Sequence, residues 1–146
     1  MPIERPDLDD RAWTAADYRP VPVTHIVLLR YREDCSPEDR AQVERRFRDL
    51  QGAVRDGRPL IRSIRAGAQI SPEPGAGNYD TGFVLEFASE GDRNYYLGRP
   101  FVTDPDCMDP AHDAFKEFVG PFLAPGGALI FDFADEGSPG SAETVP

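Results

Sequence analysis

An α+β fold built on one four-stranded antiparallel sheet is what this sequence predicts, and three features predict it. Val21–Arg32, Leu60–Ile70 and Tyr79–Ala88 alternate in the period of two that marks strands, and the apolar run Ala128–Phe133 adds a fourth. Helix starts with their own caps stand between them at Ser36-Pro37-Glu38, Ser89-Glu90 and Asp109-Pro110. The resulting order is strand, helix, strand, strand, helices, strand, the split βαβ or ferredoxin-like arrangement with helices on one face of the sheet.

Along the first strand, Val21, Val23, His25, Val27, Leu29 and Tyr31 share a face. Thr24, Ile26, Leu28, Arg30 and Arg32 share the other. Its middle is apolar on both sides apart from His25, which places it at the centre of a sheet covered twice. The helix from Pro37 is expected to bury Val43, Phe47, Leu50 and Val54 and to show Arg40, Glu44, Arg45, Arg48 and Asp49 to water. Leu60–Ile70 has one clearly more apolar face and suits a position near an edge. In the third strand Thr81, Phe83, Leu85 and Phe87 lie together, with Gly82, Val84 and Glu86 opposite. A short helix, Glu90–Leu97, carries Tyr95 and Tyr96. The stretch 98–108 is irregular and is expected to pack down as a lid or flap. In the last helix Ala111, Phe115, Phe118 and Phe122 recur at helical spacing, and His112 falls in the first turn, where the helix dipole keeps an imidazole neutral.

Residues 1–20 read as an arm, 21–134 as the folded domain, and 135–146 as a disordered tail rich in Gly, Ser, Pro and Glu. Trp13 and Tyr18 suggest that the arm docks, on its own domain or on a partner; a partly disordered leader is the alternative. No helix covers the sheet face that holds Ile26, Leu28, Val84 and Ile130 or their alternating neighbours. Two such faces packed together would close an α/β barrel, so a homodimer is expected.

Chemistry is constrained by charge. The chain of 146 residues has 26 acidic and 16 basic groups and a net charge of −10, which repels nucleic acid and anionic lipid. No apolar run approaches the roughly twenty residues that cross a bilayer. Met1–Asp7 lacks a signal peptide's apolar segment, and Cys35 and Cys107 form no CxxC pair, so free thiols in a cytoplasmic protein are expected. Two histidines with no carboxylate at ligand spacing make a transition-metal site unexpected, and Asp104, Asp106 and Asp109 read as a solvated charge run.

The residues Val23-Thr24-His25-Ile26-Val27-Leu28-Leu29-Arg30-Tyr31, the Ser36-Pro37-Glu38 start, the Phe-Val-Leu-Glu-Phe strand after Tyr79, Pro110-Ala111-His112 with Phe115, and Ile130-Phe131-Asp132-Phe133 together resemble the stress-responsive dimeric α/β barrel (Dabb) family. The resemblance covers about residues 21 to 134 and implies a barrel-forming homodimer. A plant branch similar to olivetolic acid cyclase closes linear polyketides by aldol chemistry without a cofactor, with the His of a Pro-Ala-His motif as base and an upstream Tyr beside it. Carried over, the base is His112 and the tyrosine is Tyr95 or Tyr96; His25 matches a first-strand His, and Asp109 stands where the family often has a His.

Two carbonyl-chemistry groups, a base and a hydrogen-bond donor, are therefore candidates in His112 and Tyr95 or Tyr96, with His25 as a second histidine. Each histidine also reads as a packed, hydrogen-bonded structural residue, and a lone histidine on an apolar strand face such as His25 is more often that than a catalyst. Val27, Leu29, Phe83 and Phe115 are the expected lining for a hydrophobic polycarbonyl or phenolic ligand. The alternatives are a non-catalytic stress-associated binding dimer and a cofactor-free monooxygenase on the same barrel.

Overall fold

Alternation in the sequence becomes two chemically different sheet faces. The computed structural model describes residues 3–135; the expected tail lies outside the described residues except for Asp135. A short helix α1 (Asp10–Trp13) precedes β1 (Val23–Tyr31) and α2 (Pro37–Asp49). A small hairpin, β2 (Val54–Arg55) and β3 (Arg58–Pro59), leads to β4 (Ser63–Ala68) and β5 (Thr81–Phe87). Then come α3 (Glu90–Leu97), α4 (Pro110–Val119) and β6 (Leu123–Ala134). The main sheet has the order β4-β5-β1-β6 with every neighbour antiparallel, a ferredoxin-like sheet with β1 inside and β4 at an edge.

The helices start where the sequence supplies caps. The side chains of Ser36, Ser89 and Asp109 accept from the backbone N–H of Asp39, Asp92 and Ala111, each satisfying a first-turn donor that has no partner within its helix. Between sheet and helices, Val23, Val27, Leu29 and Tyr31 of β1 and Phe83, Leu85 and Phe87 of β5 meet Val43 and Phe47 of α2 and Phe115 of α4. Phe47 stacks on Phe83 at 3.9 Å and meets Phe115 edge-on at 5.1 Å. Burial of each such ring stabilises the fold by roughly 1.5–3 kcal/mol.

Several local expectations change. Helix α2 ends at Asp49, so Val54 leaves the buried stripe and stands exposed on β2. Glu44 turns inward and accepts from the Thr81 hydroxyl at 2.8 Å. In α4 Ala111 faces water, and Val119 takes its place beside Phe115 because the helix rolls His112 toward the core.

The opposite sheet face has no helix on it. Val84, Leu129, Phe131 and Phe133 are exposed there, with Ile26 and Leu28 half-buried between them. Ile130 is not on this face: it pairs with Val27, so it points to the helix side, where it is exposed on the edge strand. Gly67 pairs with Gly82 on the outer face and leaves a hollow of about 310 Å³ bordered by Leu28 and Tyr79.

The arm docks on its own domain. Trp13 is 4 % exposed and packs with Val102, Cys107 and Met108 of the 98–108 stretch, so that stretch packs down beneath the arm. Asp10 Oδ2 accepts from the backbone N–H groups of Thr103 and Asp104 at 3.0 and 2.9 Å. A Cβ on Gly91 would sit 1.7 Å from the Ala15 carbonyl oxygen, which is why α3 has glycine where the arm crosses it.

Asp92, fully buried in the first turn of α3, ties the hairpin down. It accepts from Arg55 at 3.0 Å and from both Nη atoms of Arg58 at 2.8 and 2.9 Å. Asp92→Ala leaves two guanidinium groups without their carboxylate and should cost about 3 kcal/mol or more in urea denaturation. Glu86→Ala, which breaks a surface pair with Arg62, should stay within about 1 kcal/mol. Equal effects would contradict the distinction.

Candidate functional site

Helix α3 is short and almost wholly enclosed, with the sheet on one side and the arm on the other. Gly91, Asp92, Asn94 and Tyr96 are buried. Helical geometry sends Tyr95 and Tyr96 in different directions. Tyr95 goes toward the hairpin, beneath the Arg55 guanidinium at 4.1 Å and beside Thr14 and Cys107. Tyr96 goes inward and is 1 % exposed.

Two histidines converge on the Tyr96 ring. His112 stacks on it, centroids 3.7 Å apart and planes 9° from parallel. His25 meets it edge-on at 5.7 Å and meets Phe87 at 6.2 Å. His112 lies in the first turn of α4, and its Nδ1 is 2.5 Å from the Tyr96 carbonyl oxygen. A carbonyl only accepts, so Nδ1 carries the proton and Nε2 is left with the lone pair. Burial holds the imidazole far below its usual range, at about 3, against the pull of the Tyr96 carbonyl; Lys116 and His25 push in the same direction as burial. Lys116 itself donates to the Leu97 and Arg99 carbonyls and so clamps the end of α3.

His25 is 3 % exposed, and its Nδ1 stands 2.6 Å from Asp132 Oδ1, its cross-strand partner on β6. Asp132 Oδ2 accepts from Arg93 at 2.7 Å. Burial works to raise the Asp132 carboxyl, but hydrogen bonding and charge from His25 and Arg93 outweigh it and keep the group below the usual carboxylate range.

Two buried polar atoms in this neighbourhood have no hydrogen-bond partner: the Tyr96 hydroxyl and Asp109 Oδ2. Leaving such an atom unpaired costs roughly 1–3 kcal/mol. Burial first, and then the negative charge of Asp109 and Asp132, pushes the Tyr96 phenol well above its usual range, so it stays a donor. Burial also raises the Asp109 carboxyl, against the backbone N–H groups of Ala111 and His112.

Structure thus brings His112, Tyr96 and His25 together and places Tyr95 elsewhere. Val27, Leu29, Phe83 and Phe115 are 0–5 % exposed and pack against one another as core. The sequence reading missed Asp132, Arg93 and the burial of Asp109. Asp132 had a visible signal, a lone carboxylate within the apolar run Ile130–Phe133. Among the described residues no group of three His, Cys, Asp or Glu could hold a metal ion. Asp104 serves as a turn cap for Asp106, and Cys35 and Cys107 are free thiols. No helix of the described residues is long and apolar enough to cross a membrane.

The sheet order, the uncovered face and the paired histidine-bearing elements define a ferredoxin-like protomer of the α/β barrel kind. The chain belongs to the stress responsive A/B barrel domain family, whose sequence model matches residues 23–135. Its fold is similar to that of a hydroxynitrile lyase from Passiflora edulis (20 % identity over 82 % of this chain and 99 % of that one, TM-score 0.64). It is similar also to a Dabb family protein with a ferredoxin-like fold from Mesorhizobium loti (19 %, 80 % and 99 %, 0.59). A dimeric ferredoxin-like protein of unknown function from Thermobifida fusca gives 24 %, 80 % and 93 %, and 0.57. A comparison with curated proteins gives no match.

The buried state of His112 has a pH signature. Its folded value, about 3, lies below the usual 6.5, so between those limits the unfolded chain binds a proton that the folded chain refuses. This group therefore costs stability progressively as pH falls from about 6.5 toward 3 and costs none above that window. Nitrogen-15 NMR at pH 5 should show His112 neutral with Nδ1 protonated; an imidazolium at pH 5 would contradict the burial argument.

Proposed function

We propose that this protein is a cofactor-free enzyme that makes or breaks a carbon–carbon bond beside a carbonyl in a hydrophobic molecule, acting as a homodimer. The observation that carries this reading is the Tyr96 hydroxyl, buried and unpartnered against the face of a neutral imidazole. A carbonyl or hydroxyl oxygen of a substrate is the partner it lacks. His112 Nε2 is the base. In the aldol direction it takes a proton from the carbon next to a carbonyl, the enolate carbon adds to a second carbonyl, and the new alkoxide takes the proton. The Tyr96 O–H supports the negative oxygen throughout. In the cleavage direction the base takes the proton of a hydroxyl, the adjacent carbon–carbon bond breaks, and the departing carbanion receives that proton. The hydroxynitrile lyase among the structural neighbours is a protein named for a cleavage of this type.

A base that is protonated only below about pH 3 is weak on its own. The reaction itself strengthens it. An oxyanion about 4 Å away favours the imidazolium by about 4 kcal/mol at an effective dielectric constant near 20, roughly three pK units. Proton affinity then rises as charge develops on the substrate.

The dimer rests on the exposed row Leu129, Phe131 and Phe133 beside Val84, Ile26 and Leu28. A second copy of the same face buries all of them by one two-fold operation. A non-catalytic dimer is the second reading. It is favoured by the packing of Val27, Leu29, Phe83 and Phe115 against one another with rings in van der Waals contact.

Two measurements test these readings. In a panel of aromatic polyketides and cyanohydrins, chosen first by thermal shift, His112→Ala should abolish turnover while the oligomer stays folded; retained turnover would remove His112 as the base. Sedimentation should show a dimer at micromolar concentration, and Phe131→Arg should give a monomer. A monomeric native chain would overturn the barrel.

A further inference from the structure

We propose that the N-terminal arm is a positioning element of this site, acting on His25 through a continuous chain of hydrogen bonds. The arm, residues 3–22, precedes the stretch matched by the family, which starts at Val23. The chain starts at the Trp13 carbonyl, which accepts from Asn94 Nδ2 at 2.9 Å. Asn94 Oδ1 accepts from Arg93 Nε at 3.0 Å. Arg93 Nη1 donates to Asp132 Oδ2 at 2.7 Å, and Asp132 Oδ1 meets His25 Nδ1 at 2.6 Å.

Every link has a fixed direction. A carbonyl only accepts and a guanidinium only donates, so the Asn94 amide has one orientation: NH2 toward Trp13, oxygen toward Arg93. Held at Nε by Asn94, the planar guanidinium can offer its Nη1 edge to Asp132 without turning. Asp132, ionised and fixed by Arg93, then requires a proton on His25 Nδ1. His25 then turns Nε2, not Nδ1, away from Asp132, in the same sense as His112 turns Nε2 away from the Tyr96 carbonyl. The other neighbours of His25, Phe87 and Tyr96, present ring edges and faces and set no tautomer. Asn94 is 0 % exposed on a helix face that apolar packing alone would fill, and its two hydrogen bonds are the physical reason for an amide there. The arm cannot slide without breaking the chain, because Gly91 lies against Ala15 and Asp10 is fixed to Thr103 and Asp104.

The chemical use of His25 rests on the function proposed above; its coupling to the arm does not, and the test separates them. The readout is the His25 Nδ1–H proton resonance and its exchange with water, with the His112 Nδ1–H resonance, bonded to the Tyr96 carbonyl, as a control for an intact site. Asp132→Asn should move the His25 proton to Nε2, since an amide N–H can face Nδ1. Arg93→Lys keeps a cation near Asp132 but loses the Nε link, and Asn94→Asp keeps an oxygen for Arg93 but loses the donor to Trp13. Both should speed exchange of the His25 proton by roughly ten-fold through local opening, with the His112 resonance unchanged. If Asn94→Asp fails to fold, Arg93→Lys, on a partly exposed side chain, decides alone. Unchanged His25 exchange in Arg93→Lys would overturn the coupling. Faster His25 exchange in Arg93→Lys together with retained turnover in His112→Ala would leave the coupling standing and remove only the proposed chemistry.

Discussion

Tyr96 is held on two sides by imidazole rings, and most of this fold can be understood as what it takes to hold it there. Its ring needs an apolar surround, which β5 supplies through Phe87. It needs His25 from the central strand, which only the β5-β1-β6 order brings alongside. The stack with His112 needs the start of α4 to lie against the end of α3, and the capping by Asp109 and the Lys116 bonds to Leu97 and Arg99 fix that junction. Interactions that are each modest in water become directional here because no solvent competes. The Tyr96 hydroxyl and Asp109 Oδ2 are the buried polar atoms that this arrangement of rings and main-chain groups leaves unpaired.

The two faces of the sheet divide the work. The helix side spends its apolar residues on a packed layer of phenyl rings, which fixes α2 and α4 against the sheet. The outer side holds the same kind of residues with nothing over them within one chain. A rim strand that ends in Phe131 and Phe133 and a hollow at Gly67 and Gly82 are bump and recess on one surface. Self-complementary surfaces of that type are what a two-fold interface uses.

Much of this was legible in the sequence because period and caps are local properties. β1, β5, α3 and α4 follow from alternation and from Ser89 and Asp109, which act within three residues. Edge placement of β4 followed from its one-sided apolarity. Helix ends and faces were less legible. Val54 looked like the next residue of a stripe, yet Gly52 and the Asp56-Gly57 turn made a hairpin that took it out. Ala111 was exposed because His112, not an apolar residue, claimed the inward position in the first turn. In the site, His112 and His25 could be named from residue type and position. Asp132 and Arg93 could not, because their partnership depends on strand register and on the turn of α3, which bring together residues 107 apart in sequence for His25 and Asp132. The choice between Tyr95 and Tyr96 likewise depended on a 100° turn of the helix.

The most direct test of the central idea is the unfolding free energy of Tyr96→Phe. That substitution keeps the ring, the stack on His112 and the edge contact with His25, and removes only the hydroxyl. If the hydroxyl is an unsatisfied group kept for a ligand, the variant should be more stable than the native chain by about 1 kcal/mol in urea denaturation. A variant less stable than the native chain would show that the hydroxyl is a structural bond, and the site would lose its reason.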